Sequence, residues 1–199
     1  MAKGARSWAT SSQTEARYPP RVPRLPITVL FVCTANICRS AYAEVAARHM
    51  LGSRADVVFS SAGTQGHASE PLNAEMAEFL PEGAAHDGFA SRRATRDLID
   101  RADLVLTAEA SHRTFLLDEY PHAFRKVLTL GQFAEAAGHS ELRGRELITA
   151  VGLRQPPARP EHDVRDPYRR GRAANARSAA QIDELLGIVV PALLDADLA

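Results

Sequence analysis

The sequence predicts an α/β fold, a single three-layer domain in which helices cover both faces of a four-stranded parallel sheet. Short runs of β-branched and aromatic residues alternate with longer segments of helical character, as in chains of strand–helix–strand units. The first run, ITVLFVC at residues 27–33, is apolar at nearly every position, which is typical of a strand buried on both faces. The 199 residues, 45% of them hydrophobic, suffice for one domain with a substantial core.

The order of elements follows from these patterns. Strands are expected at residues 27–33, 56–62, 103–108 and 126–130. Helices are expected at residues 40–51, 71–80, 95–102 and 110–120, and again from about residue 171. Thr95 is expected to cap its helix, Pro71 to occupy a first helical turn, and Pro191 to end or kink the last helix. The Gly-, Pro- and Arg-rich segment 138–162 is predicted to be mostly loop.

Composition excludes several classes of function. Residues 1–25 are rich in Ser, Thr, Arg and Pro and are expected to form a disordered tail before a domain at 26–199. The formal net charge is zero, so no basic field favours nucleic acid. No apolar segment is long enough for a signal peptide or a membrane span, and a cytoplasmic protein is expected. Neither a dinucleotide-binding glycine motif nor a second Cys/His pair is present, so no cofactor or metal is expected.

The loop after the first strand carries the most specific pattern. It reads Cys33-Thr34-Ala35-Asn36-Ile37-Cys38-Arg39-Ser40 and leads from a buried strand into a helix. Such a loop directs successive backbone N–H groups into one concavity, where they and the helix dipole bind phosphate and favour a thiolate at Cys33. Arg39 can bind two phosphoryl oxygens with its planar guanidinium, and the Ser40 hydroxyl can stabilise the thiolate. Asn36 tolerates a left-handed backbone.

A cysteine that attacks a phosphate ester needs a separate proton donor for the leaving oxygen. The candidate is Asp166, because Pro167 disfavours helix there and lets the carboxyl group project from a loop. Tyr168 could line the entrance and stack on a flat aromatic substrate.

These segments resemble one known family. VCTANICRSAYAE (32–44) is similar to the phosphate loop of low-molecular-weight protein tyrosine phosphatases of the bacterial type, and DPY (166–168) to their general-acid loop. SSAGT (60–64) and the segment 89–113 align in the same order. The resemblance spans roughly residues 27–197.

The resemblance implies hydrolysis of phosphotyrosine through a cysteinyl-phosphate intermediate without a metal. Cys33 would be the nucleophile, and Asp166 the acid and then the base for water. Residues Thr34, Ala35, Asn36, Ile37, Cys38 and Arg39 would bind the phosphate. Ser40, Asn36 and Ser61 would support the loop, and Cys38 would form a reversible disulfide with Cys33 under peroxide. Tyr168, Ile37 and His67 are expected at the substrate entrance. Ala35 departs from the family, because it stands where glycine is common.

Three alternatives remain open at this point. Phosphoarginine phosphatases share the loop but carry Thr at the position of Ile37, whose bulk favours tyrosine. Arsenate reductases share the fold, and with two cysteines in the chain only a form coupled to a small-molecule thiol would be possible. A non-catalytic phosphate-binding module would be expected to lack Cys33, Arg39 or Asp166. The expected partners are phosphotyrosine proteins, a tyrosine kinase of polysaccharide export among them by analogy.

Overall fold

The computed structural model describes residues 25–66 and 69–194. The strands are β1 (Ile27–Cys33), β2 (Val57–Gly63), β3 (Leu104–Thr107) and β4 (Val127–Thr129). The helices are α1 (Arg39–Leu51), α2 (Ala74–Ala77), α3 (Arg96–Arg101), α4 (Ala110–Glu119), α5 (Leu130–Gly138), α6 (Gly144–Arg154) and α7 (Arg172–Leu193). Short 3-10 turns lie at Pro121–Ala123 and Pro160–His162.

The four strands form one parallel sheet, as predicted, and the structure gives their order as β2-β1-β3-β4. Strand β1 is central, so its side chains enter a core on each side of the sheet. Val29 and Phe31 belong to the larger core, which is covered by α1, α5, α6 and α7. Leu30 and Val32 belong to the smaller core beneath α3 and α4. Burial on both faces explains why β1 is an unbroken apolar run rather than an alternating one.

Several predicted boundaries are confirmed, and the α2 region is a correction. The side chain of Thr95 caps α3 by accepting a hydrogen bond from Leu98 N. Helix α2 has only four residues and begins at Ala74, because the side chain of Asn73 accepts the Met76 N–H and fixes the start there. Pro71 therefore precedes the helix rather than lying in its first turn.

The loop prediction for residues 138–162 is wrong, because α6 fills eleven of these positions. Leu147, Ile148 and Val151 are buried along one side of this helix, a helical spacing that the surrounding Gly and Arg residues obscured. Helix α5 was also not anticipated.

Two predictions concern the ends of the chain. Pro191 lies inside α7, and the helix continues to Leu193. A proline there costs little because it removes a hydrogen bond only from the last turn. Of the predicted tail, residues 1–24 lie outside the described residues, so the domain boundary at residue 26 stays a prediction.

Candidate active site

The Cys33 thiol lies at the carboxyl end of the central strand, where the chain turns into the loop that leads to α1. Cys33 pairs in register with Gly63 of β2, and the hydrogen bond from Thr64 N to Cys33 O (2.8 Å) extends this pairing. A Cβ atom at Gly63 would lie 2.5 Å from the carbonyl oxygen of Thr34. The backbone of β2 therefore supports the loop directly, and only glycine leaves the necessary space.

The loop presents a set of unpaired backbone donors. None of the N–H groups of residues 34–39 donates a hydrogen bond to another residue within 25–66 or 69–194. Asn36 has the left-handed backbone anticipated from its residue type, with φ of 59°. Ala35 does not share a positive φ, so replacing the family's common glycine causes no backbone strain there. Unpaired amides at the start of a 13-residue helix form a cradle for an anion.

A chain of hydrogen bonds holds the sulfur and the loop together. Cys33 Sγ lies 3.0 Å from Ser40 Oγ. The amide of Asn36 donates both to Ser40 Oγ (3.0 Å) and to Ser61 Oγ (2.7 Å), while Ser61 donates to the carboxylate of buried Glu44. Ser40 Oγ accepts from Asn36, and its own proton can go to the sulfur or to the carbonyl oxygen of Ala62, which lies 3.3 Å away. Ser40, Asn36 and Ser61 thus lie together in one hydrogen-bonded group.

Backbone contacts complete the fixation of Asn36. Its carbonyl oxygen Oδ1 accepts the N–H of Arg92 (2.9 Å), which belongs to the segment before α3. The loop is consequently tied to α1, β2 and the α2–α3 connection at once. Neither Glu44 nor Arg92 was singled out from the sequence, although Glu44 lies one helical turn after Ser40 and so shares its face of α1.

The guanidinium of Arg39 is 3% exposed and joins the loop to two distant segments. Its Nη1 donates to Glu109 Oε1 (2.7 Å) and to the carbonyl oxygen of Val164 (2.9 Å). Its Nη2 lies 3.1 Å from Asp166 Oδ1, so the predicted acid does reach the phosphate loop. The buried Nε has no hydrogen-bond partner among the described residues. A buried, unsatisfied donor on a cation is costly unless a ligand uses it.

The two cysteines differ in their surroundings. Both are free and buried. Burial, reinforced by negative charge at Cys33, raises the pKa of the Cys38 thiol to about 12. Cys38 is therefore a neutral thiol near pH 7 and a poor nucleophile. Its role as a redox partner of Cys33 stays a prediction.

The loop that carries Asp166, called the acid loop here after its predicted role, is anchored through residues 162–164. Val164 N donates to Ala108 O (2.8 Å) just beyond β3, and Asp163 Oδ1 accepts the N–H of Ala110 (2.8 Å) at the start of α4. His162 Nε2 lies 2.7 Å from Glu135 Oε2 of α5. Helix α5, which the sequence did not reveal, therefore helps to hold the loop that carries Asp166.

One histidine contacts the phosphate loop without having been anticipated. His112 Nε2 of α4 lies 2.8 Å from the hydroxyl of Thr34. Burial, together with the positive charge of Arg39, lowers the pKa of His112 to about 4, so the imidazole is neutral near pH 7. The sequence contained a signal for this contact, because His112 follows the carboxyl end of the neighbouring strand β3.

The expected entrance residues are less well defined. Tyr168 is 42% exposed, with the Arg169 guanidinium 5.1 Å from its ring centroid. Ile37 is half-buried against the larger core. His67 lies outside the described residues. Within the described ranges, no group of three or more His, Cys, Asp or Glu side chains could hold a metal ion. No helix in those ranges is long and apolar enough to cross a membrane.

Comparison with known proteins identifies one family. The family model for low molecular weight phosphotyrosine protein phosphatases matches residues 28–144. The low molecular weight protein-tyrosine-phosphatase Etp of Escherichia coli K12 is 32% identical over 109 residues, covering 54% of this chain and 72% of that protein. A protein-arginine-phosphatase of Geobacillus stearothermophilus is 31% identical over 109 residues, covering 55% of this chain and 72% of that protein.

Solved structures agree as well. The low molecular weight protein tyrosine phosphatase from T. tengcongensis superposes with a TM-score of 0.64 and 26% identity, covering 83% of this chain and 98% of that one. The family model covers more than half of the chain, and it includes the whole loop from Cys33 to Ser40. The protein therefore belongs to the low molecular weight phosphotyrosine protein phosphatase family, whose members are hydrolases of phosphate esters.

Proposed function

We propose that this protein hydrolyses phosphotyrosine in two steps, with Cys33 as nucleophile, Arg39 as phosphate ligand and Asp166 as acid and base. The observation that carries the proposal is the cradle of unpaired amides at residues 34–39 around the buried Cys33 thiol. The unpaired Nε of Arg39 adds a further donor for a phosphoryl oxygen. Such a cradle fits a dianionic phosphate and lets amides and guanidinium neutralise its charge without a metal.

In the first step, the Cys33 thiolate attacks phosphorus and the bond from phosphorus to the phenolic oxygen breaks. Asp166 donates its proton to that leaving oxygen. This role for Asp166 lies beyond the part of the chain that the family model matches, and it is supported by the 3.1 Å contact with the Arg39 guanidinium. A carboxyl group so close to the phosphate ligand is within reach of an ester oxygen of the bound substrate.

In the second step, water attacks phosphorus and the phosphorus–sulfur bond breaks. Asp166, now a carboxylate, accepts the proton of the water, and Cys33 leaves as a thiolate. The Ser40 hydroxyl, 3.0 Å from the sulfur, stabilises that thiolate. Inorganic phosphate is then released and the starting state is restored.

The proposal is tested by measuring kcat/KM on aryl phosphates with matched variants. Cys33→Ser should lower kcat/KM at least about 1,000-fold because serine is not ionised at the base of the loop. Cys38→Ser, which changes the same atom in the neutral thiol, should lose far less. Asp166→Asn should slow phenyl phosphate more than p-nitrophenyl phosphate, since the better leaving group needs less protonation. A Cys33→Ser protein with substantial turnover would refute the nucleophile assignment.

Phosphoarginine hydrolysis is the second candidate, favoured by the similarity to a protein-arginine-phosphatase. Both substrates would use the same loop and nucleophile. Ile37 argues for tyrosine, because its side chain has no hydroxyl to help position a nucleophile and its bulk favours a tyrosine side chain. Parallel assays on phosphotyrosine and phosphoarginine decide between them, and adding arsenate with a small-molecule thiol tests the reductase alternative. A kcat/KM that is higher for phosphoarginine would reverse the assignment.

The cellular substrate belongs to the proposal as well. By analogy with bacterial members of the family, we include a tyrosine kinase of polysaccharide export among its substrates. A cytoplasmic location is part of this proposal because a reducing compartment keeps the Cys33 thiol free. Substrate trapping with Asp166→Ala would test it, and recovery of no phosphotyrosine protein would count against it.

A further inference from the structure

A cleft of about 430 Å³ lies beside the acid loop, between that loop and helix α7. Asp166 itself is one of the residues that line this cleft. The helix contributes Ala174, Arg177, Ser178 and Gln181, whose spacing places them along one face. A substrate chain whose phosphotyrosine occupies the phosphate loop would pass close to this cleft, because Asp166 borders both.

Three arginines line the cleft without partners. Arg165 precedes the acid, Arg170 lies in the turn after it, and Arg177 lies on α7. All three are exposed, and their guanidinium groups make no hydrogen bond or ion pair with any residue in the described ranges. They differ in this from Arg39, Arg159 and Arg172, each of which pairs with a carboxylate.

The carboxylates of the cleft are mostly engaged elsewhere. Asp166 pairs with Arg39, and Asp163 accepts a hydrogen bond from the backbone of α4. Glu161 is exposed and is the remaining acidic lining residue. Although the formal charges of the lining residues balance, the unused hydrogen-bonding capacity of the cleft is therefore mainly that of guanidinium donors. Such donors bind carboxylates and phosphoryl groups.

A second observation also indicates a ligand. Ser178 lines the same cleft and is 3% exposed, and its buried Oγ has no hydrogen-bond partner among the described residues. Serine in a helix often donates its hydroxyl proton to the carbonyl oxygen four residues earlier, and Ser178 makes no such hydrogen bond. An unsatisfied hydroxyl at the floor of a cleft lined by unpaired arginines fits an oxygen-rich ligand.

We infer that this cleft binds an anionic side chain of the substrate, adjacent in sequence to the phosphotyrosine. This inference rests on the proposed function, since it takes phosphotyrosine peptides as the substrates. The ligand is a carboxylate or a second phosphoryl group, and Arg165, Arg170 and Arg177 are the residues that recognise it. The cleft thereby makes the enzyme selective for phosphotyrosine in acidic or multiply phosphorylated segments.

The experiment compares three peptides that share a central phosphotyrosine: one with neutral flanks, one with Asp and Glu flanks, and one with a second phosphotyrosine. The wild-type enzyme should show a kcat/KM about five-fold higher on the anionic peptides than on the neutral one. The double variant Arg170→Gln/Arg177→Gln should bring this ratio close to one. Ser178→Ala, which removes a hydroxyl but no charge, should lower this ratio less than the double variant does.

The matched control is Arg125→Gln/Arg154→Gln, which removes the same charge from exposed arginines that lie away from the cleft. It should keep the wild-type ratio. Comparing kcat/KM for the two anionic peptides shows whether the cleft prefers a carboxylate or a phosphoryl group. A wild-type ratio of one, or an equal loss in the control and the cleft variants, would overturn the inference.

A binding measurement separates this inference from the proposed function. Ratios of Kd for the same peptides are measured in Cys33→Ser protein, with and without the two cleft substitutions. If no phosphotyrosine peptide is hydrolysed by the wild type, the proposed function fails, while the Kd ratios still decide about the cleft. The inference about the cleft is supported if anionic peptides bind more tightly and the cleft substitutions abolish that preference. Equal Kd values for all peptides would refute it.

Discussion

Gly63 offers a sharp test of how the phosphate loop is held, because it faces backbone rather than flexible side chains. A Cβ atom there would lie 2.5 Å from Thr34 O, 2.9 Å from Ala35 C and 3.0 Å from Asn36 N. Reaching ordinary van der Waals separation requires a displacement of about 1 Å. Both sides are constrained, since Gly63 is paired with Cys33 and its N–H and C=O groups are bonded to Arg92 and Ala94.

Gly63→Ala should therefore destabilise the protein by about 1–3 kcal/mol, the usual cost of overpacking. A loop displaced by about 1 Å should also lower kcat/KM on p-nitrophenyl phosphate roughly 100-fold. Urea unfolding and steady-state kinetics measure the two effects. Inorganic phosphate should stabilise the variant less than the wild type, because the amides of the cradle no longer converge on one anion.

Gly187→Ala is the matched control. Gly187 lies exposed in α7, and a Cβ there would meet nothing within 4 Å. Alanine at this position should raise the unfolding free energy by about 0.5–1 kcal/mol through its higher helix propensity, with unchanged kinetics. Wild-type stability and activity in Gly63→Ala would contradict this prediction, since the loop would then adjust to a side chain at no cost.

Two further predictions concern residues around Arg39. Because the pKa of His112 is lowered to about 4 by burial, its neutral form stabilises the fold above pH 6.5, and this contribution is lost as pH falls towards 4. Denaturant unfolding at pH 7 and pH 5 should show that the wild type loses about 2 kcal/mol more unfolding free energy than His112→Gln does. Substitution of the exposed His49 should leave the wild-type pH dependence unchanged. Equal losses in the wild type and in His112→Gln would contradict the prediction. Glu109→Gln should cost about 1–3 kcal/mol of stability because the buried Arg39 guanidinium loses its 2.7 Å carboxylate partner. Glu119→Gln, at the exposed last residue of α4, should cost less than about 0.5 kcal/mol. Equal losses in the two variants would argue against the ion pair.

The sequence was sufficient to predict a structural feature wherever the residues that determine the feature lie in the same short segment as the feature itself. The turn from β1 through the loop into α1 is continuous in the chain, so its strand, its left-handed Asn36 and its helix start could be predicted. Thr95 was predictable as a cap for the same reason. Helix α6 was missed because its apolar positions are interspersed with glycine and arginine, and only packing against the core distinguishes it from a loop.

The sequence by itself determined the four-stranded parallel fold and the loop that carries Cys33 and Arg39, because both are encoded in contiguous segments. Tertiary structure alone decided which distant groups surround that loop. Glu109 and His112 meet the loop only because β3 lies beside β1. Asp166 was a candidate from the sequence, but its contact with Arg39 depends on the anchoring of its loop to α4 and α5. The cleft with its unpaired arginines likewise exists only where α7 packs against the acid loop. Contacts between residues that are separated by 70 to 125 positions in the chain depend on the packing of whole elements, and no local pattern specifies them.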